Sequence, residues 1–278
     1  MPELPEVETI RRGLDKDIGG RKIRSVDVKS MKPLKRHPNK KHFAAMLEGA
    51  KVKGAARRGK YLLITLDNGN VVVIHLGMSG QLRRAANKDE VPKHTHIIIN
   101  FTQGGNLRFI DPRTFGEVFA VAAEDLGEIA PELAELGLDP VDEPIAWQTF
   151  ADMLMSRRVK LKPMLMDQKF LAGIGNIYSD EILFEAGLRH DRTSDSLTTQ
   201  EIRRLYRAVV EILHDAIKYR GSTLADGGYL DIAGQPGEFQ EHHRVYARDG
   251  EACRRCRTPI VKARVSNRST YFCQQCQI

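Results

Sequence analysis

The chain has 278 residues, 41% of them hydrophobic, with 43 lysines and arginines against 36 acidic residues and a formal net charge of +7. That length accommodates two or three modules around at least one substantial core, and the composition excludes disordered and fibrous classes. The excess of cations points to a polyanionic partner such as nucleic acid, while the most apolar stretch, residues 71–78, is too short to span a bilayer and is interrupted by His75.

The opening Met-Pro-Glu-Leu-Pro-Glu is acidic and carries no apolar signal region, so a cytosolic location is expected. Leu4, Val7, Ile10 and Leu14 recur at helical spacing. Pro5 suits a first helical turn, Glu6 and Glu8 suit the positive end of its dipole, and Gly13 and then Gly19-Gly20 mark where this helix should fail. From residue 23 to about 121 the pattern is that of strands. Residues 61–66 and 71–76 flank Asp67-Asn68-Gly69-Asn70, and residues 97–101 and 107–110 flank Gln103-Gly104-Gly105-Asn106, which predicts two hairpins. Several β runs at such short spacing predict a sandwich or barrel.

From about residue 124 the pattern becomes helical, with residues 139–144 as the candidate linker. Leu171-Ala172-Gly173-Ile174-Gly175-Asn176-Ile177-Tyr178 places two glycines just before a helical run that ends near Ala186. Backbone amides at such a turn can hold a phosphate, or the turn can simply join two helices; Lys160, Lys162 and Lys169 nearby tilt the reading toward phosphate. Thr198 with Glu201 makes a capping box, followed by one apolar stripe of Ile202, Leu205, Val209, Leu213 and Ile217 that ends before Gly221. Residues 221–237, rich in Gly, Asp and Ala, read as a long loop.

Cys253-x-x-Cys256 and Cys273-x-x-Cys276 stand sixteen residues apart and use all four cysteines of the chain. In a reducing compartment such spacing predicts one tetrathiolate zinc. Residues 259–265 and 269–272 can form two strands around Ser266-Asn267-Arg268, a hairpin too small for its own core, so the metal is expected to be structural. Four thiolates leave no open coordination position for catalysis. Arg254, Arg255, Arg257, Lys262, Arg264 and Arg268 make the hairpin very basic, as a phosphate-binding finger would be.

A small second residue normally permits removal of the initiator methionine, which would expose the secondary amine of Pro2. An α-amino group has a pKa of about 8, so a useful fraction is neutral near pH 7 and can attack an electrophilic carbon to give an iminium. Glu3 and Glu6 stand close in sequence and could move protons at a reacting sugar. Taken without the rest of the chain, these residues describe only an acidic helix start.

Pro2-Glu3-Leu4-Pro5-Glu6-Val7-Glu8 resembles the opening of the formamidopyrimidine-DNA glycosylase family, and the resemblance extends over essentially the whole chain. Arg57-Arg58-Gly59-Lys60-Tyr61-Leu62 resembles the family's lysine-bearing strand, His75-Leu76-Gly77-Met78-Ser79-Gly80 its intercalation loop, and Asp111-Pro112-Arg113-Thr114-Phe115-Gly116 its second wedge. Residues 173–178 resemble its helix-two-turn-helix motif, and the tetracysteine hairpin its zinc finger.

The resemblance implies an α+β protein. It would have an N-terminal catalytic β-sandwich with its N-terminal helix (1–138), a helix-two-turn-helix DNA-binding domain with a lesion-recognition loop (139–238), and a zinc-bound β-hairpin (239–278). It implies a bifunctional DNA glycosylase and AP lyase of base excision repair that removes oxidised purines and cleaves the strand by β,δ-elimination. Pro2 would be the nucleophile at C1′, Glu3 the general acid/base, and Glu6 an organiser of the site. Lys60 would serve β-elimination and Arg268 δ-elimination. His94, Arg113, Arg157, Lys162 and Asn176 fall at or near DNA-contacting positions, and Met78, Arg113 and Phe115 would fill the hole left by a flipped base. The partner would be double-stranded DNA carrying oxidised purines or abasic sites. A monomer is expected because each part occurs once, and a bacterial cytoplasmic, nucleoid-associated location follows. Thr114 departs from the pattern, standing where many relatives carry a second arginine. Two other readings compete: an endonuclease VIII-type enzyme for oxidised pyrimidines, against which Leu4 and the complete Met78, Arg113, Phe115 set argue, and a non-catalytic zinc-dependent DNA-binding paralogue, against which the presence of Pro2, Glu3 and Lys60 argues.

Overall fold

In the computed structural model, which describes residues 1–265 and 267–278, the chain divides into two compact units, Met1–Glu135 with Tyr219–Glu238, and Leu136–Lys218 with Phe239–Ile278. The first unit opens with α1 (Leu4–Ile18), β1 (Ile23–Val28) and α2 (Lys40–Leu47). Seven strands follow: β2 (Val52–Arg58), β3 (Tyr61–Leu66), β4 (Asn70–His75), β5 (Gln81–Ala85), β6 (Thr95–Phe101), β7 (Asn106–Ile110) and β8 (Glu117–Ala122). Two short turns of helix, α3 (Leu126–Ile129) and α4 (Pro131–Ala134), follow. The strands form two antiparallel four-stranded sheets, ordered β1-β6-β7-β5 and β2-β3-β4-β8.

Period-two alternation builds the space between the sheets. Leu62, Ile64 and Leu66, Val72 and Ile74, and Val118 and Ala120 from one sheet share a single apolar cluster with Ile97 and Ile99, and Leu107 and Phe109 from the other. Each fully buried Leu, Ile or Phe contributes roughly 1.5–3 kcal/mol. Helix α1 adds Val7, Ile10, Leu14 and Ile18 to the same cluster, so the acidic N-terminus is anchored by core packing.

Two sequence expectations change here. Gly13 does not end α1, which runs on to Ile18. A Cβ at position 13 would lie 2.9 Å from the Ile232 side chain, so the glycine serves close packing. Ile232 belongs to residues 219–238, which the sequence groups with the helical segment; they pack in the first unit instead, with Tyr229 and Ile232 in its core. The segment has no regular element, as expected, yet it is tied down: the Arg84 N–H donates to Ile232 O at 2.8 Å.

The second unit contains α5 (Trp147–Met155), α6 (Leu161–Met166), α7 (Asn176–Ala186), α8 (Thr199–Lys218) and the hairpin of β9 (Val261–Val265) and β10 (Arg268–Phe272). The expected capping box closes α8: the Thr198 N–H donates to Glu201 Oε2 at 2.8 Å, and the Glu201 N–H to Thr198 Oγ1 at 3.3 Å. The expected stripe of Ile202, Leu205, Val209, Leu213 and Ile217 is buried throughout. Helix α7 is almost wholly interior and ends in left-handed Gly187 (φ 69°), with Leu188 N–H returning to Leu183 O at 2.9 Å. Ser266, part of the expected hairpin turn, lies outside the described residues.

Candidate functional site

The head of α1 is held by its own carboxylates. Glu3 and Glu6 form a reciprocal capping box, in which the Glu3 N–H donates to Glu6 Oε2 at 2.7 Å. The other Glu6 oxygen accepts the Ser222 N–H, also at 2.7 Å. Glu6 therefore joins the segment that carries Pro2 and Glu3 to the 219–238 loop. Gly221 makes that approach possible: it has φ +75° and a Cβ there would sit 2.5 Å from Glu6 Oε1. Pro2, Glu3 and Glu6 are all buried, while Met1 is 44% exposed.

Lys60 sits in the turn between β2 and β3 and is 9% exposed. That turn is fixed to α1 by a buried ion pair, Arg57 Nε to Glu8 Oε2 at 3.1 Å, and Arg57 also donates to Gly59 O at 3.2 Å. Burial opposes the charge on Glu8, but hydrogen bonds from Arg11 and Arg12 and the fields of Arg11 and Arg57 outweigh it and hold the pKa at about 2. His75, whose ring centroid is 4.7 Å from that of Tyr61, is held neutral by burial and by the charge of Lys60, with its pKa pushed down to about 4.

Met78, Arg113 and Phe115 sit on two neighbouring loops of the first unit. Phe115 is 54% exposed despite its size, the Arg113 guanidinium carbon stands 5.3 Å from its ring centroid, and Met78 is half-buried. A Cβ on Gly77 would lie 2.7 Å from the Phe115 carbonyl carbon, so the loops meet backbone to backbone. His94 is exposed with φ +64°, and Thr114 has φ +58°, a costly conformation for a β-branched residue.

In the second unit the four cysteine sulfurs all lie within 4.8 Å of one another. Cys253 and Cys276 Sγ are 3.9 Å apart, and Cys256 and Cys273 Sγ 3.4 Å apart. A tetrahedron of thiolates about 2.3 Å from zinc has edges of about 3.8 Å, so the donor set fits one structural ion. Cys253 and Cys273 pack with Phe184, Val245, Ile260 and Tyr271 in a small apolar cluster. Arg268, at the start of β10, is exposed and lines a cleft with Lys162, Pro163, Met166 and Val265.

Residues 1–118 match the formamidopyrimidine-DNA glycosylase N-terminal domain, 136–227 its H2TH domain, and 250–278 the zinc finger found in FPG and IleRS. The formamidopyrimidine-DNA glycosylase of Pelotomaculum thermopropionicum is 41% identical over 277 residues, covering 100% of this chain and 99% of the relative. The chain belongs to the formamidopyrimidine-DNA glycosylase family. Another member, from Salinispora arenicola, is 41% identical over 281 residues, covering 100% of this chain and 96% of the relative. Among solved structures, the MutM (FPG) protein from Thermus thermophilus superposes with a TM-score of 0.88 at 42% identity, covering 99% of this chain and 98% of that one. A mutant of the Lactococcus lactis FPG in complex with Fapy-dG DNA superposes with a TM-score of 0.90 at 33% identity, covering 99% of each chain. The protein is thus a base-excision-repair DNA glycosylase with one structural zinc.

Within this family fold, not every expected contact residue is free for DNA. Lys162, expected at or near a DNA contact, is placed in the interior of the second unit. Its side chain is 1% exposed and its ammonium donates to Asp180 Oδ1 at 2.7 Å, Thr270 Oγ1 at 2.9 Å and Ser269 O at 3.2 Å. The charge is consumed in joining α6, α7 and β10. Arg255 is likewise engaged, 2.7 Å from Glu185 Oε2 and stacked on Phe184. Arg157 is exposed and pairs with Asp167 at 2.8 Å, a surface contact weak enough to exchange for a phosphate. Asn176 opens α7 and donates to Ser269 O at 3.0 Å, while its Oδ1 is buried without a hydrogen bond among the described residues. At the glycine turn, the Gly173 N–H is taken by Gln168 Oε1 at 2.9 Å. Sequence reasoning missed Glu8 and Arg57, whose pairing only the fold brings about. The Glu3–Glu6 box, by contrast, has the three-residue spacing that could have flagged it.

Proposed function

We propose that the protein is a bifunctional glycosylase and AP lyase for oxidised purines, with Pro2 as nucleophile once Met1 is removed. The Pro2 nitrogen attacks C1′ of a flipped nucleotide, the C1′–base bond breaks, and the base departs with a proton supplied at the site, for which Glu3 is the nearest acid in sequence. Ring opening gives an iminium between Pro2 and the sugar. Loss of a C2′ proton expels the 3′ phosphate, and a second elimination expels the 5′ phosphate, leaving a one-nucleotide gap. Lys60 serves the first elimination and Arg268 the second. Met78, Arg113 and Phe115 occupy the vacated stack and help offset an unstacking cost of about a few kcal/mol per step. The zinc takes no step because its four thiolates complete its shell. His94, Arg157 and Asn176 contact the DNA backbone.

The observation that carries this reading is the Glu6 carboxylate, which binds the Glu3 amide on one side and the Ser222 amide on the other. It makes the catalytic terminus and the loop suited to cover a lesion one hydrogen-bonded assembly. The substrate class draws on relatives: Lactococcus lactis Fpg has been solved with Fapy-dG DNA and with abasic-site DNA. The same enzyme was also solved with DNA containing an oxidised pyrimidine, which keeps the pyrimidine reading alive as a secondary activity. The protein acts as a monomer on double-stranded DNA in the bacterial cytoplasm; among the described residues no helix is long and apolar enough to cross a membrane.

Borohydride trapping tests the proposal. An oligonucleotide with 8-oxoguanine opposite cytosine should cross-link through Pro2, and active protein should lack Met1 by mass spectrometry. Binding without a cross-link supports the non-catalytic reading. Cross-linking confined to oxidised pyrimidines supports the endonuclease VIII reading, and Met1 retained in active protein sinks the nucleophile assignment.

A further inference from the structure

We propose that Asp111 is a positioning residue that pre-forms the two-loop wedge before DNA arrives, an inference that rests on reading Met78, Arg113 and Phe115 as that wedge. Asp111 is wholly buried, at 0% exposure, and its carboxylate lies between the loops. Oδ1 accepts the Ser79 hydroxyl at 2.5 Å and the Arg113 N–H at 3.2 Å. Oδ2 accepts the Gly116 N–H at 2.7 Å. The Arg113 N–H also reaches Ser79 Oγ at 3.2 Å.

The main chain of Asp111 is fixed from a third direction. Its N–H donates to His94 O at 3.0 Å, and its carbonyl oxygen lies 2.8 Å from His96 Nε2. One residue therefore touches the backbone of, or the neighbour to, every DNA-contact candidate in this part of the unit: Met78 through Ser79, Phe115 through Gly116, and Arg113 and His94 directly. Asp111 is not among the residues of the apolar core that joins the two sheets.

The strain in the second loop fits this role. Arg113 and Gly116 both donate to the same carboxylate, so the loop closes around it and Thr114 is driven to φ +58°. Such a conformation persists only where the surroundings over-determine it. Gly77, with φ +60° and its Cβ position 2.7 Å from Gly116 N, allows the first loop to close onto the second. The physical gain is pre-organisation. A wedge that must enter a base stack does so faster when its ordering cost is met on folding rather than on binding. Loss of the carboxylate leaves Met78 and Phe115 present but mobile relative to each other, which slows duplex opening and leaves the chemistry at C1′ untouched.

The test uses the full-length zinc-loaded protein with Asp111→Asn, Ser79→Ala and Phe115→Ala variants. Stopped-flow fluorescence of 2-aminopurine beside an 8-oxoguanine:cytosine pair reports stack opening. Strand cleavage at a preformed abasic site inside a bubble of unpaired bases reports chemistry without opening. For Asp111→Asn the opening rate should fall by about tenfold or more, as expected when a group is displaced by a fraction of an ångström to an ångström, while bubble cleavage stays within about twofold. Ser79→Ala, which removes the hydroxyl's bonds to Asp111 Oδ1 and from the Arg113 N–H but keeps the carboxylate, should move the same way by less, and it carries the test if Asp111→Asn does not fold. Equal loss on both substrates would reduce Asp111 to a structural residue. Unchanged opening in Asp111→Asn, with slowed opening in Phe115→Ala, overturns the proposal alone. Unchanged opening in Phe115→Ala overturns the wedge reading itself.

Discussion

Lys162 Nζ lies 2.7 Å from Asp180 Oδ1, and both side chains are 1% exposed. Asp180 also accepts the Tyr271 N–H at 2.9 Å, so the pair ties the zinc hairpin to α7. Truncating Lys162 leaves a carboxylate buried without its counter-charge, and Lys162→Met should cost about 3–5 kcal/mol in urea unfolding. A Lys162→Met/Asp180→Leu double variant should recover much of that loss, since two buried charges are then replaced by apolar volume. DNA binding by the double variant should keep the slope of log K against log salt. A slope shallower by about one unit would show that Lys162 neutralises a phosphate after all.

Removal of zinc should act on one unit. The hairpin's apolar cluster consists of only a few residues and includes two of the metal-binding cysteines themselves, so it has little to hold it once the thiolates are released. Cys273→Ser or treatment with a strong chelator should abolish DNA binding and strand cleavage. The sandwich, whose core contains none of the cysteines, should keep its own thermal transition. Calorimetry with parallel metal analysis checks this; a single transition lost as a whole would show that the two units unfold together.

Features whose determinants lie within a few residues were legible in the sequence. The hairpin across β3 and β4 follows from Asp67-Asn68-Gly69-Asn70 between alternating strands, the α8 cap from the Thr198–Glu201 spacing, and the metal site from two Cys-x-x-Cys pairs. Features that depend on distant partners were not. Lys162 reads as a spare cation until Asp180 and Thr270 surround it. Gly13 reads as a helix breaker until Ile232 is seen against it. Asp111 carries no local mark of the bonds its carboxylate makes to Ser79 and Gly116. Periodicity reports which face is buried, not which polar group meets which across the fold.

His37 gives the stability a pH dependence. Its Nε2 accepts the Ala120 N–H at 2.9 Å, and its Nδ1 faces His42 Nδ1 at 3.0 Å. A protonated ring would point an N–H at the Ala120 N–H, and burial, reinforced by His42, pushes the His37 pKa down from 6.5 to about 4. The unfolded chain therefore binds the proton more readily between these values, and stability must rise with pH across the window, by at most about 1.4 kcal/mol per pH unit for one such group. The contribution is complete above pH 6.5 and lost as pH falls toward 4. His75, lowered to about 4 by burial and by Lys60, adds in the same window and direction. His37→Gln, whose side-chain oxygen can accept the same N–H, should flatten part of this dependence in urea titrations at stepped pH. An unchanged profile would place the titration elsewhere.

Gly13→Ala is the sharpest check on how α1 and the 219–238 loop depend on each other. In an exposed helix interior this change stabilises by up to about 1 kcal/mol. Here the added Cβ would stand 2.9 Å from two atoms of Ile232, closer than packed atoms approach, and overpacking of this kind costs about 1–3 kcal/mol. The sign should therefore reverse. The relief available to the molecule is outward movement of Ile232, which would loosen the Arg84 N–H bond to Ile232 O and pull on the Ser222 amide held by Glu6. The expected pattern is a lower midpoint in urea and a slower base-removal step. Pairing Gly13→Ala with Ile232→Val, which deletes Cδ1 but leaves Cγ1 equally close to the new Cβ, should restore both only in part. A lower midpoint in Gly13→Ala with an unchanged base-removal step would show that the loop's hold on Glu6 does not matter for catalysis.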